Sequence, residues 1–290
     1  MNRPSHVSPA PSTSAPLLEA RAVSRLFPVR GSGGLWRRPA QQRAVDGVSM
    51  QIHAGEVMAL VGESGSGKTT LGRMLLGLSR PSAGAVFYRG EDIARLRGED
   101  WRRFRREVQV VFQDTGGSLN PRHTIAESVA LPLRHNRRLA AGDAAREVAQ
   151  LLEQVGLPPA HFGHRLPHEL SGGQRQRVGI ARALASQPSV IIADEPVSAL
   201  DVSIRAQILR LMAELQRERG LAYLFITHDL GVVRALADRV LVMTGGQLVE
   251  SGSADDVLER PQHDYTRRLL AATPVPDPAR GEAAGVAPGS

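Results

Sequence analysis

The chain has 290 residues, 42% of them hydrophobic and only 4% aromatic, so it can bury a large and mostly aliphatic core. It contains no cysteine, which excludes disulfides, iron–sulfur clusters and cysteine-ligated zinc, and no run of eighteen uncharged apolar residues that would form a membrane-spanning helix. The net charge of +7 and pI of about 10.9 fit a nucleic-acid or anionic-lipid partner, but arginines scattered over a solvated surface give the same balance.

Of the 36 basic side chains, 35 are arginine, and the one lysine is Lys68. A compact ammonium on a flexible stem fits between phosphates in a way a planar guanidinium does not. Composition alone therefore singles out Lys68.

In chain order, residues 1–16 are rich in Pro, Ser and Ala and lack an apolar core, so they read as a disordered segment without a secretory signal. Val48, Met50 and Ile52 alternate with polar residues, as in a half-exposed strand. After the turn Ala54-Gly55-Glu56, residues 57–61 form a continuous apolar run, the mark of a strand buried on both faces. Gly62-Glu63-Ser64-Gly65-Ser66-Gly67-Lys68-Thr69 then fits the P-loop pattern, with Thr70 counted beside it, and opens a helix expected to run through Leu78. Glycines let the backbone curl so that successive amides face phosphate oxygens, and the helix N-terminus adds positive dipole. Lys68 is placed to bridge terminal phosphates, and the Thr69 hydroxyl to ligate Mg2+.

Further buried runs at 108–112, 190–193, 222–226 and 240–243, joined by helical stretches, predict a largely parallel sheet covered by helices. The stretch of about 116–185 has helical periodicity around 144–155 and after Ser171 and no buried strand, so it reads as an inserted helical subdomain. Residues 274–290 read as a loose tail.

Asp194 and Glu195 follow the apolar run 190–193, at the strand end where open α/β sheets bind ligands. Asp194 is placed to hold magnesium and Glu195 to orient and polarise an attacking water. Leu170-Ser171-Gly172-Gly173-Gln174 precedes another helix; Ser171 and Gln174 have capping-box spacing, and the two glycines expose amides, so this is a second anion site.

These motifs together resemble the ABC ATPases. Leu170 to Gln174 looks like the family's signature sequence, with Ser171 lying 23 residues before Asp194. Gln113 resembles the Q-loop glutamine that contacts magnesium and the attacking water. Ser198-Ala199-Leu200-Asp201 resembles the D-loop. His228, in Thr227-His228-Asp229, resembles the switch histidine that contacts the γ-phosphate, and Phe27 resembles the aromatic that stacks on adenine, with Trp36 as a rival. Residues 117–121, the sequence DEPVSALD at 194–201, His263-Asp264-Tyr265-Thr266 with Leu269-Leu270, and the insertion 28–42 are similar to the dipeptide, oligopeptide and nickel importer ATPases. Those subunits often continue into a cysteine-containing C-terminal segment, which the absence of cysteine predicts to be missing here.

The resemblance implies an α/β P-loop NTPase core with a mostly parallel sheet, an antiparallel β subdomain and the inserted helical subdomain. The ATPase domain would span 17–260, with an extension over 261–290. It implies an ATP- and Mg2+-dependent subunit at the cytoplasmic face of the membrane. The implied partners are membrane subunits docked near 115–130, a second ATPase subunit in a heterodimer or homodimer, and an extracytoplasmic solute-binding protein. Peptides are the implied cargo, with nickel or another small solute as the alternative. A nucleic-acid-associated ABC ATPase is the reading from another class. Against it stand the lack of zinc cysteines, of a second P-loop and of a long coiled coil between Gln113 and Ser171, so no nucleic-acid partner is expected.

Overall fold

Two long antiparallel strands, β1 (Leu18–Pro28) and β2 (Gln41–Ile52), come first in the computed structural model, which describes residues 15–28, 41–113 and 115–272. The segment 1–14, most of the insertion including Trp36, and the tail from 273 lie outside the described residues. Val48, Met50 and Ile52 point inward while Ser49 and Gln51 face solvent, as period-two alternation requires. Next come β3 (Val57–Val61), buried at every residue, and α1 (Lys68–Leu75). With β4 (Ala83–Tyr88) and β5 (Glu91–Asp92) the first strands form an antiparallel sheet in the order β2-β1-β4-β5. The arginine-rich α2 (Gly98–Glu107) leads into β6 (Val108–Val111). Its Arg102 and Arg103 pair with Glu99 and Glu107 along the helix.

No strand interrupts the described part of the next stretch, which holds α3 (Thr115–Ser118), α4 (Ile125–His135), α5 (Ala141–Gln154), α6 (Pro159–Phe162) and α7 (Gly172–Leu184). A capping box between Thr124 and Glu127 starts α4. The remaining elements are β7 (Val190–Asp194), α8 (Val202–Arg219), β8 (Ala222–Thr227), α9 (Leu230–Leu236), β9 (Arg239–Thr244), β10 (Gln247–Ser253), α10 (Ala254–Glu259) and α11 (Asp264–Ala272).

The second sheet has the order β10-β9-β3-β8-β7-β6, parallel throughout except for β10. Its strands are sandwiched, so alternate residues enter different cores. Ile191, Ala193, Tyr223 and Phe225 pack with α4, α5, α7 and α8, while Val190, Ile192, Leu224 and Ile226 pack with α1 and the antiparallel sheet. The helical stretch thus shares one core with a face of the sheet.

The helix after the phosphate loop ends at Leu75, short of the expected Leu78. Gly77 takes φ +67°, its amide bonds Met74 O at 3.0 Å and the Leu78 amide bonds Arg73 O at 2.9 Å, a glycine-terminated cap that leaves Leu78 exposed.

Candidate functional site

The strand register gathers the chemical residues at one edge. Val61 of β3 and Asp194 of β7 pair with Thr227 and Ile226 of β8, and Val111 of β6 pairs with Ala193. Gly62, Gln113, Glu195 and His228 therefore follow the carboxyl ends of four neighbouring parallel strands, where an open α/β sheet has its ligand crevice.

The phosphate loop is held by backbone crowding. Gly62 lies at φ +154° and Gly67 at φ +107°; a Cβ on Gly62 would fall 2.0 Å from Met243 O, and one on Gly67 would fall 2.2 Å from Ala44 O. Only glycine fits such close backbone approach. Ser64 and Gly65 are exposed at the crest, Ser66 is buried, and Thr70 is half-buried on the first turn of α1. Lys68 is only 5% exposed, and its Nζ donates to Gly62 O and Glu63 O, both at 2.7 Å. Burial pushes the Lys68 ammonium below its usual range, and the carboxylates of Glu195, Asp194 and Glu63 act against that.

Thr69 Oγ1 donates to Asp194 Oδ1 at 3.2 Å. Burial raises the Asp194 carboxyl above the usual range; the Thr69 bond opposes this, the charge of Glu195 adds to it, and Arg73 and Lys68 counter it. A hydroxyl beside a carboxylate is a hard-oxygen pair suited to Mg2+. Among the described residues no group of three His, Cys, Asp or Glu could hold a metal by itself.

Glu195 sits at φ +48°, a left-handed conformation rare outside glycine and costly by about 1–3 kcal/mol. Its amide donates to Ile226 O at 2.8 Å and its carbonyl accepts from Ser198 Oγ at 3.1 Å, which together hold the strained residue. The His228 Nδ1 lies 3.2 Å from Glu195 Oε1. Gln113 is exposed just past β6, where the neighbouring Phe112 O accepts from Gln176 Nε2 of α7 at 3.5 Å.

The Ser171 element is built as a capped helix start. Ser171 N donates to Gln174 Oε1 at 2.9 Å and Gln174 N donates to Ser171 Oγ at 3.2 Å. Gly172 and Gly173 abut Leu200 and Ile204. No hydrogen bond among the described residues joins this element to the phosphate loop; the structure brings it to the stretch 198–201 instead. Asp201 is the N-cap of α8, exposed, and its side chain makes no cap bond. Phe27 is 39% exposed beneath the Arg25 guanidinium, 4.9 Å from ring centroid to Cζ. It pairs with Gln42, two residues before the Ala44 carbonyl that crowds Gly67, so it lies on the strand edge leading to the phosphate loop.

Two contacts were not foreseen from sequence. Arg205 of α8 forms an ion pair with Asp229 and also reaches Leu200 O. The Tyr265 hydroxyl of α11 accepts the Glu63 amide at 2.9 Å. Tyr265 belongs to the 263–266 motif, which was the available signal, but a motif match carries no contact partner.

A glycine-rich phosphate loop on a mostly parallel sheet, with an acidic strand end beside it, defines the class of P-loop nucleoside triphosphatases. The chain belongs to the ABC transporter family, which matches residues 45–198; the oligopeptide/dipeptide transporter C-terminal region matches residues 249–289. That second match corrects the expectation of a missing C-terminal element: the region is represented, and it carries no cysteine.

The chain is 52% identical over 265 residues to the glutathione import ATP-binding protein GsiA of Escherichia coli, covering 91% of this chain and 42% of that protein. It is 51% identical over 270 residues to the protein of that name from Pectobacterium atrosepticum, covering 93% and 43%. The chain thus spans about two fifths of the length of these relatives. Among solved structures, a dimeric ATP-binding cassette in a post-hydrolysis state, bound to ADP and Pi, aligns with TM-score 0.71 and 28% identity over 82% of this chain and 98% of its own. The cbiO1 protein of Clostridium perfringens, part of an ABC transporter complex, aligns with TM-score 0.72 and 28% identity over 85% and 92%.

Proposed function

We propose that the chain is the ATP-hydrolysing subunit of an ABC importer for peptides, working as a peripheral subunit at the cytoplasmic face of the membrane. One observation carries the reading: the buried Lys68, the Thr69–Asp194 pair and the strained Glu195 beside His228 share one sheet edge. The match to the oligopeptide/dipeptide C-terminal region and relatives named for import of glutathione, itself a short peptide, support the cargo class. Nickel or another small solute is the alternative cargo. Among the described residues no helix is long and apolar enough to cross a membrane.

In this reading Phe27 stacks on adenine, and the backbone amides from Gly62 to Thr70 cradle the phosphates, with Glu63, Ser64, Gly65, Ser66 and Gly67 forming the curl and Lys68 reaching the terminal pair. Magnesium held by the Thr69 hydroxyl and the Asp194 carboxylate, with Gln113 beside it, would draw charge off the phosphate oxygens. Glu195 accepts a hydrogen bond from the attacking water and aims it at the γ-phosphorus. His228 contacts the γ-phosphate and keeps Glu195 in place. Ser171, Gly172, Gly173, Gln174 and Asp201 serve the nucleotide of a facing ATPase subunit, either a sister chain or a second copy. The membrane subunits dock over 115–130, and the solute-binding protein joins through the complex. The ATPase domain takes 17–260, with the helical subdomain at about 116–185 and an extension over 261–290.

Glu195→Gln should bind ATP, associate into dimers and hydrolyse about 100-fold more slowly or worse. Lys68→Ala should lose ATP binding or turnover. Normal turnover by Glu195→Gln refutes the role of Glu195, and normal turnover by Lys68→Ala refutes the site.

A further inference from the structure

The elements after β10 fold back onto the start of the phosphate loop. The α10 start is fixed by the Ala254 amide on Asp238 O, at 3.0 Å. Glu250 of β10 then clamps the link to α11, accepting the Gln262 amide at 2.7 Å and the His263 amide at 3.1 Å, and His263 Nδ1 accepts the Tyr265 amide at 3.1 Å. Tyr265, 7% exposed, is buried in the same hydrophobic cluster as Val61, which directly precedes the loop, and Leu230, which follows His228 and Asp229.

The hydroxyl of that ring meets one particular peptide unit. The bond between Gly62 and Glu63 presents its N–H to Tyr265 Oη at 2.9 Å and its C=O to Lys68 Nζ at 2.7 Å. The unit is therefore held at both ends, and one of the two holders is the ammonium itself. Gly62 at φ +154° has no Cβ, so its own side chain gives no resistance to rotation of this peptide. If the plane turned, Gly62 O would leave Lys68 and the ammonium would lose one of its two carbonyl anchors.

We propose that Tyr265 is a positioning residue for Lys68: the C-terminal extension sets the orientation of the Gly62–Glu63 peptide, and through it the place of the ammonium that receives the terminal phosphates. This rests on the reading of the loop as an ATP site. It gives the 249–289 region a task at the nucleotide that neither its own sequence nor its family match assigns.

Tyr265→Phe in the full-length chain removes the hydroxyl and keeps the ring packing. A neutral hydrogen bond contributes about 0.5–1.5 kcal/mol, so the Kd for a fluorescent ATP analogue and the KM for ATP should rise about 2- to 13-fold. The kcat should stay within about twofold, with Tm unchanged, and the Glu63 amide should exchange hydrogen faster while Val61 does not. Unchanged affinity with unchanged Glu63 exchange overturns the proposal. So does a variant that loses Tm with kcat and KM shifting together, because the ring would then act only by packing. If the wild-type chain neither binds nor hydrolyses ATP, the reading of the site falls, and Glu63 exchange still decides the contact.

Discussion

Gly62 and Gly67 occupy conformations that a side chain could reach only by displacing neighbouring backbone, whereas Gly65, at φ +82°, has nothing within 4 Å of a built Cβ. The contrast predicts an ordering. Gly62→Ala should cost about 2–4 kcal/mol of unfolding free energy, from strain plus displacement of Met243 O. Gly65→Ala should cost about 1–2 kcal/mol, from its left-handed backbone alone. Urea titration of both variants checks this. At this scale the sequence was eloquent about glycine spacing, because only glycine tolerates such approach, and about Lys68, because no other lysine competes with it. It marked Glu195 as a candidate but was silent about its backbone conformation. Nothing in the string marks a glutamate as left-handed, since its amide bonds Ile226 O on a strand 31 residues away and its carbonyl accepts from Ser198 only once the turn after β7 has formed.

Between elements, the Arg205–Asp229 ion pair ties the start of α8 to the turn that carries His228. Asp229 uses its other oxygen to accept the Gly231 amide at 2.8 Å and cap α9, so a single carboxylate holds both the helix start and Arg205 beside the turn that carries His228. Arg205→Met leaves that carboxylate without its cation. We expect kcat to fall about tenfold while ATP affinity stays within about twofold, since a charge-assisted bond contributes about 1.5–3 kcal/mol. Steady-state kinetics beside equilibrium nucleotide binding separates the two effects. The central strands were legible because burial on both faces writes itself as unbroken apolar runs, and β3 falls on residues 57–61 as expected. The end of α1 was not, because its apolar pattern continues past Gly77 and only the backbone conformation there shows the stop. The Arg205–Asp229 pair was also hidden: its partners are 24 residues apart and meet only after β8 is laid beside β7.

For the whole molecule, Glu107 is the hub between the two sheets. It accepts hydrogen bonds from Tyr88 Oη at the end of β4, from Arg89 and Arg103, each at 2.9 Å, and from Ser189 Oγ ahead of β7, at 3.2 Å. Burial works against its ionisation, but the bonds from Tyr88, Arg103 and Arg89 outweigh burial and hold the carboxyl at about 2. Burial, and then the bond to Glu107, pushes the Tyr88 hydroxyl up to about 12. A depressed carboxyl contributes stability that is full above its unfolded value near 4.5 and is lost as pH falls toward 2. Glu107→Gln should therefore cost about 2–3 kcal/mol at pH 7, and the gap to wild type should close between about pH 4.5 and 2. Denaturation measured across that range tests it. In the proposed reading the Ser171 element serves a facing subunit: Gly172 and Gly173 abut Leu200 and Ile204, and among the described residues no hydrogen bond joins the element to the chain's own phosphate loop. In terms of reaction order, a site completed by another copy or a sister chain makes turnover per molecule rise with concentration and collapse on dilution, whereas a self-sufficient site would give a rate strictly proportional to protein.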